Sequence, residues 1–124
     1  MNYVATEDAP KAIGPYSQAV TWHGILYTSG QVALDPATGN LVEGSFEDQA
    51  HRVFRNLAAV LKEAGSSFDR VLKATVFVTD LGNFQTLNTI YAQYFGDHKP
   101  ARTTVEVKGL PKGAQVEIDL VALV

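Results

Sequence analysis

The chain has 124 residues, 46% of them hydrophobic, a net charge of −3 and no cysteine. That length and apolar fraction support one compact core and exclude a disordered chain. The charge balance lacks the basic footprint that nucleic acid or an anionic membrane would need, and the missing thiols exclude disulfides, a thiol nucleophile and thiolate metal sites.

The first residues, MNYVATEDAPKAIGPY, contain no basic stretch followed by an apolar core. No apolar run approaches the roughly 20 residues of a membrane helix. The expectation is a soluble, cytoplasmic protein with a single domain over 1–124. AVTWHGILYTSG reads as a hairpin turning at His23-Gly24, where Gly24 supplies a positive φ. That turn would set Trp22 opposite Ile25, Val20 opposite Tyr27, Gln18 opposite Ser29 and Tyr16 opposite Gln31. Tyr16 and Ser29 then become diagonal neighbours on one face, beside Gly30. LDPATGN is a second turn, broken by Pro36 and Gly39.

SFEDQAHRVFRNLAAVLKEAG predicts a helix: Ala50, Val53, Phe54, Leu57, Val60, Leu61 and Ala64 form one stripe. Ser45 and Asp48 suit a capping box at its start, and Gly65 suits its end. VLKATVFVTD follows as a strand apolar enough to be covered on both faces. NFQTLNTIYAQYF is a second helix ending at Gly96, with Phe84, Leu87, Tyr91 and Phe95 as its stripe and Asn88 as the polar intruder. ARTTVEV and QVEIDLVALV are the last strands, read as a hairpin across KGLPKG. The order is βββ-α-β-α-ββ, an α+β mixed sheet with two helices on one face. Two helices leave the other face open. Self-association would bury it; the plainer alternative is a partly wet face.

Arg102, at the mouth of a strand, is either a surface cation paired with a carboxylate or a fork that grips a ligand carboxylate. Tyr16, Ser29 and Gly30 are either turn chemistry or the wall of a site. Asn88 bonds either the backbone or a ligand. Glu117 and Asp119 share a strand face, which is either a wet edge or the place of a general acid–base. His23, His51 and His98 lack metal-ligand spacing, and no phosphate loop or nucleophile elbow is present.

IGPYSQAV, YTSGQVALDP, VFVTDLGNFQTLNTIYAQYF and PARTTVEVKGLPKGAQVEIDLVA closely resemble the Rid (YjgF) family of reactive intermediate deaminases. Pro100, Ala101, Arg102, Val105, Leu110, Pro111, Gly113, Glu117 and Ile118 fall on its signature. The resemblance implies a chorismate-mutase-like fold in a homotrimer with active sites between subunits. It implies cofactor-free, metal-free hydrolysis of 2-aminoacrylate-derived 2-iminopropanoate and related 2-imino acids to 2-keto acids and ammonia. It makes Arg102 the carboxylate anchor and Glu117 the residue that positions or deprotonates water. It also implies that Tyr16, Ser29, Gly30, Asn88 and Thr104 line the substrate. Thr104 departs from the family, where a cysteine is frequent. Two alternatives remain: a trimeric regulatory protein that only binds small carboxylates, and a ribonuclease or translation inhibitor.

Overall fold

A computed structural model describes residues 1–124. Three strands come first: β1 (Asn2–Val4), β2 (Ala19–Trp22) and β3 (Ile25–Thr28). Helix α1 (Phe46–Glu63), β4 (Val71–Val78), helix α2 (Phe84–Phe95), β5 (Ala101–Glu106) and β6 (Val116–Leu123) follow. The predicted order is therefore met. The six strands form one mixed sheet in the order β1-β2-β3-β6-β4-β5.

The hairpin has the predicted register, with Trp22 opposite Ile25 and Val20 opposite Tyr27. His23 and Gly24 both take positive φ, 50° and 78°, the requirement of a turn whose twist matches its strands. α1 follows its stripe. Ser45 Oγ accepts from the Asp48 amide at 3.3 Å, and the Asp48 carboxylate accepts from the Ser45 amide at 3.0 Å. Such a cap is worth about 1 kcal/mol. At the other end Gly65, at φ 79°, lets the Ser66 amide reach Leu61 O at 2.8 Å.

Both helices lie on one face. Alternate residues of β4 (Ala74, Val76, Val78) and β6 (Val116, Ile118, Leu120, Ala122) are buried against them. Phe54 of α1 is fully buried among Phe68, Tyr91, Tyr94 and Phe95 and ties the helices together. Truncating such a residue to alanine costs about 3–5 kcal/mol.

Three expectations fail in instructive ways. ARTTVEV and QVEIDLVALV do not pair: β6 runs antiparallel between β3 and β4, and β5 runs parallel to β4 at the edge. The more apolar strand takes the position with two neighbours, and the threonine-rich one takes the rim. β4 is covered on one face only within the chain, since Leu72 is exposed and Thr75 and Phe77 are half-exposed. Phe84 does not join the buried stripe of α2, which consists of Leu87, Ile90 and Phe95. The open face carries Val20, Ile25, Tyr27, Phe77 and Val121, interrupted by Lys73, Thr75, Glu117 and Asp119. No helix is long and apolar enough to cross a membrane.

Candidate active site

The sheet register sorts the candidate residues. Arg102 pairs with Ala74 and Thr104 with Val76, so both point to the helix-covered side of the β5 edge. Glu117 pairs with Phe77 and Asp119 with Thr75, so both point to the open side. Arg102 and Glu117 therefore stand on opposite faces.

On the helix side, the Arg102 guanidinium lies 4.8 Å from the Tyr91 ring centroid and 5.5 Å from that of Phe84. Asn88 falls on the same α2 face, one turn from each ring, and is half-buried. Glu106, the acidic residue on this face of β5, instead accepts a hydrogen bond from the Leu81 amide at 3.0 Å. The neighbours of the guanidinium are thus rings and not a carboxylate. Two residues on, the Thr104 hydroxyl is buried without a hydrogen-bond partner, as is that of Tyr91.

The other residues line a cavity of about 360 Å³ whose walls include Tyr16, Ser29, Gly30, Gln31, Ile13 and Glu117. β2 begins only at Ala19, past Tyr16, so the predicted Tyr16–Gln31 pair does not form; Gln31 bridges to Ile118 of β6 instead. Tyr16 and Ser29 still meet at the cavity. The Ser29 amide donates to Gln18 O at 2.9 Å, and Ser29 Oγ donates to Ser17 O at 2.6 Å. The Tyr16 hydroxyl accepts from the Ile13 amide at 3.2 Å. Gly30 makes room for Glu117: a Cβ there would stand 2.8 Å from the Glu117 carboxyl carbon.

Burial pushes the Glu117 carboxyl above its ordinary value, and the Asp119 charge adds to that. Burial raises Asp119 too, with the Thr75 hydroxyl and Lys73 pulling the other way. A carboxylate so disfavoured is a stronger proton acceptor than one in water. No three His, Cys, Asp or Glu side chains converge as metal ligands.

One wall of the cavity escaped the sequence reading. Gln18 is buried and holds the segment before the cavity: its amide donates to Thr6 O at 3.0 Å and Pro10 O at 2.8 Å, and its carbonyl accepts from the Thr6 amide at 2.7 Å. Its place opposite Ser29 was the available signal; the fold of residues 6–13 over it had none.

The family model described as Endoribonuclease L-PSP matches residues 6–124. The chain belongs to the Rid (YjgF) family. It is 45% identical over 120 residues to the human 2-iminobutanoate/2-iminopropanoate deaminase, covering 97% of this chain and 88% of that protein. The solved structure of YyfA of Yersinia pestis, a Rid family protein of unknown function, is 50% identical, with a TM-score of 0.97 over 99% of this chain and 98% of that one. TdcF of Escherichia coli, solved with bound serine, is 38% identical, with a TM-score of 0.94 over 100% and 99% of the two chains. The predicted family and α+β architecture are met.

Proposed function

We propose that this Rid protein is a cofactor-free imine deaminase, acting in the cytoplasm as a homotrimer of single-domain subunits. It hydrolyses 2-iminopropanoate, formed from 2-aminoacrylate, and related 2-imino acids to 2-keto acids and ammonia. The observation that carries the reading is the state of Arg102: a permanent cation set against two aromatic rings and no carboxylate. A structural arginine is ordinarily neutralised; one held with its donor edge open suits a ligand carboxylate. The human relative's name and the serine bound to TdcF point to the same ligand class, a small molecule with a carboxylate and a nitrogen on its α-carbon.

In this reading Arg102 binds the substrate carboxylate, with Asn88 and Thr104 beside it. Glu117 of a second subunit takes a proton from water as the water oxygen bonds the iminium carbon. Tyr16, Ser29 and the Gly30 backbone shape that wall. Glu117 returns the proton to nitrogen; as the C–N bond breaks, the carbinol hydroxyl gives its proton to the regenerated Glu117 carboxylate, the carbonyl of the 2-keto acid forms, and ammonia leaves and takes up that proton as ammonium. Charge complementarity and positioning do most of the catalysis. The opposite-face placement of Arg102 and Glu117 supports a site shared between copies, and the apolar open face supports their association.

The placement of the histidines supports deamination over RNA cleavage by a histidine acid–base pair. His51 Nδ1 bonds the Tyr94 hydroxyl at 2.7 Å, His98 Nε2 bonds Val71 O at 2.7 Å, and His23 sits in the hairpin turn. None lines the cavity.

The test is a coupled assay. An amino-acid oxidase generates the imine in place, and semicarbazide traps what escapes hydrolysis. Wild type should accelerate imine loss and Arg102→Ala should not. Wild-type imine loss at the spontaneous rate across several side chains would overturn the reading in favour of a carboxylate-binding regulator.

A further inference from the structure

We infer that Tyr91 is a positioning residue whose ring fixes the orientation in which Arg102 meets a carboxylate ligand. The inference rests on the deaminase reading only for the choice of ligand.

Arginine carries a long stem with much rotamer freedom, and at a sheet edge little confines it. Ordinarily a carboxylate fixes the guanidinium by bonding its edge, which consumes the donors a ligand needs. Here the same-face carboxylate of Glu106 is engaged by the Leu81 amide. The guanidinium instead lies against Tyr91 at 4.8 Å and Phe84 at 5.5 Å. Ring faces attract a cation through its flat side and leave the N–H edge free.

Tyr91 is itself held. Its ring stacks on Phe95, centroids 4.3 Å apart at 22°, and meets Phe54 edge-on at 5.9 Å and 79°. Phe54 is fully buried. Rigidity thus passes from the core through Phe54 and Phe95 to Tyr91 and on to Arg102.

The hydroxyl has no part in this. It is buried without a hydrogen-bond partner. Burial pushes the phenol above its ordinary value against the pull of Arg102, so the ring stays neutral at physiological pH. A buried hydroxyl without a bond is a liability, and its removal leaves the aromatic face intact.

Full-length Tyr91→Phe, Tyr91→Leu and Phe84→Leu separate these roles. The readouts are imine turnover, calorimetric binding of 2-oxobutanoate, and the NMR resonance of the Arg102 Nε–H. Tyr91→Leu should raise KM and the 2-oxobutanoate Kd about tenfold with kcat within about twofold, because the ring acts on bound ground state and transition state alike. Phe84→Leu should raise both about threefold, its ring being farther from the cation. Tyr91→Phe should match wild type in all three readouts, including the ring-shifted Nε–H signal that Tyr91→Leu loses. Damage by Tyr91→Phe equal to that by Tyr91→Leu would overturn the inference. So would a wild-type Kd in Phe84→Leu with an Arg102 signal at the free-arginine position; Phe84 is 39% exposed, so this arm reads out whatever Tyr91→Leu does to folding. Wild type that binds 2-oxobutanoate with this variant pattern but hydrolyses no imine would sink the deaminase reading and leave the role of Tyr91 standing.

Discussion

Arg102 and Glu117 live in opposite electrostatic settings. Arg102 stands at the β5 edge on the helix-covered side, its charge set against polarisable ring faces. Glu117 stands two strands inward on the open side, its charge disfavoured by burial and by Asp119. One setting keeps a cation available for a ligand; the other makes a carboxylate hungry for a proton. Both depend on withholding the ion-pair partner that would satisfy the group. A small molecule cannot touch both faces of one sheet, so within a single chain the two halves do not meet.

The sharpest break in this comparison is Glu117→Gln. Turnover should fall by about 10²–10⁴, the range for losing a general base. Stability should move the other way. Folding raises the Glu117 pKa, so the folded protein holds that proton more tightly than the unfolded chain. The resulting stabilisation is fully present below the unfolded-state pKa and is lost as pH rises through the folded-state value. At neutral pH the ionised group opposes folding. Glu117→Gln should therefore melt no lower than wild type at pH 7. A melting midpoint several degrees lower would show that the carboxylate is better stabilised than the geometry indicates.

Gly30→Ala comes next. The new Cβ would meet the Glu117 carboxyl carbon at 2.8 Å, so the carboxylate must shift. A displacement of about 1 Å at a reacting group can cost about 10²-fold, and kcat should fall by that order while Arg102-dependent binding of 2-oxobutanoate persists. Wild-type kcat in Gly30→Ala would remove Glu117 from the chemistry or show that it reacts from a displaced position.

A mixing experiment asks whether the two halves come from different chains. Arg102→Ala and Glu117→Gln should each be inactive alone. If a site takes its arginine from one subunit and its glutamate from another, random co-assembly restores about a quarter of the sites, half times half. If both residues act from one chain, co-assembly restores none, and the opposite-face placement is no guide to the site.

Parts of this were legible in the sequence for physical reasons. α1 announced itself because its period, the Ser45–Asp48 box and the Gly65 terminus are all local signals. The hairpin register followed from its two-residue turn. Strand order did not, because the place of β6 between β3 and β4 depends on the crossover of α2 and not on the KGLPKG connection. The same gap hid the placement of Arg102 and Glu117 on opposite faces of the sheet. The family resemblance names Arg102 and Glu117 together, but which faces they occupy is decided by their partners on β4, Ala74 and Phe77. Tyr91 looked like an ordinary stripe residue for a related reason: helical period shows that a ring faces inward and not what cation it meets.

The smallest expected effect concerns the open half alone. The groups around the Glu117–Asp119 pair are Thr75 and Lys73 of β4, which act on Asp119, and Tyr16 and Lys11 along the cavity wall beside Glu117. Burial is the larger cause of the raised Glu117 pKa and Asp119 the smaller. Two interacting carboxyls titrate as a pair, so the acid limb of wild-type kcat/KM should be broad, with two apparent values. Asp119→Asn removes the repulsion but not the burial. The limb should narrow to one step and move to lower pH while staying above the ordinary carboxylate range, with the plateau unchanged. A limb that falls into the ordinary range would make Asp119 the larger cause. A limb that does not move at all would mean that the group titrating in turnover is not Glu117, and the proton-accepting half of the site would have to be sought elsewhere along the cavity.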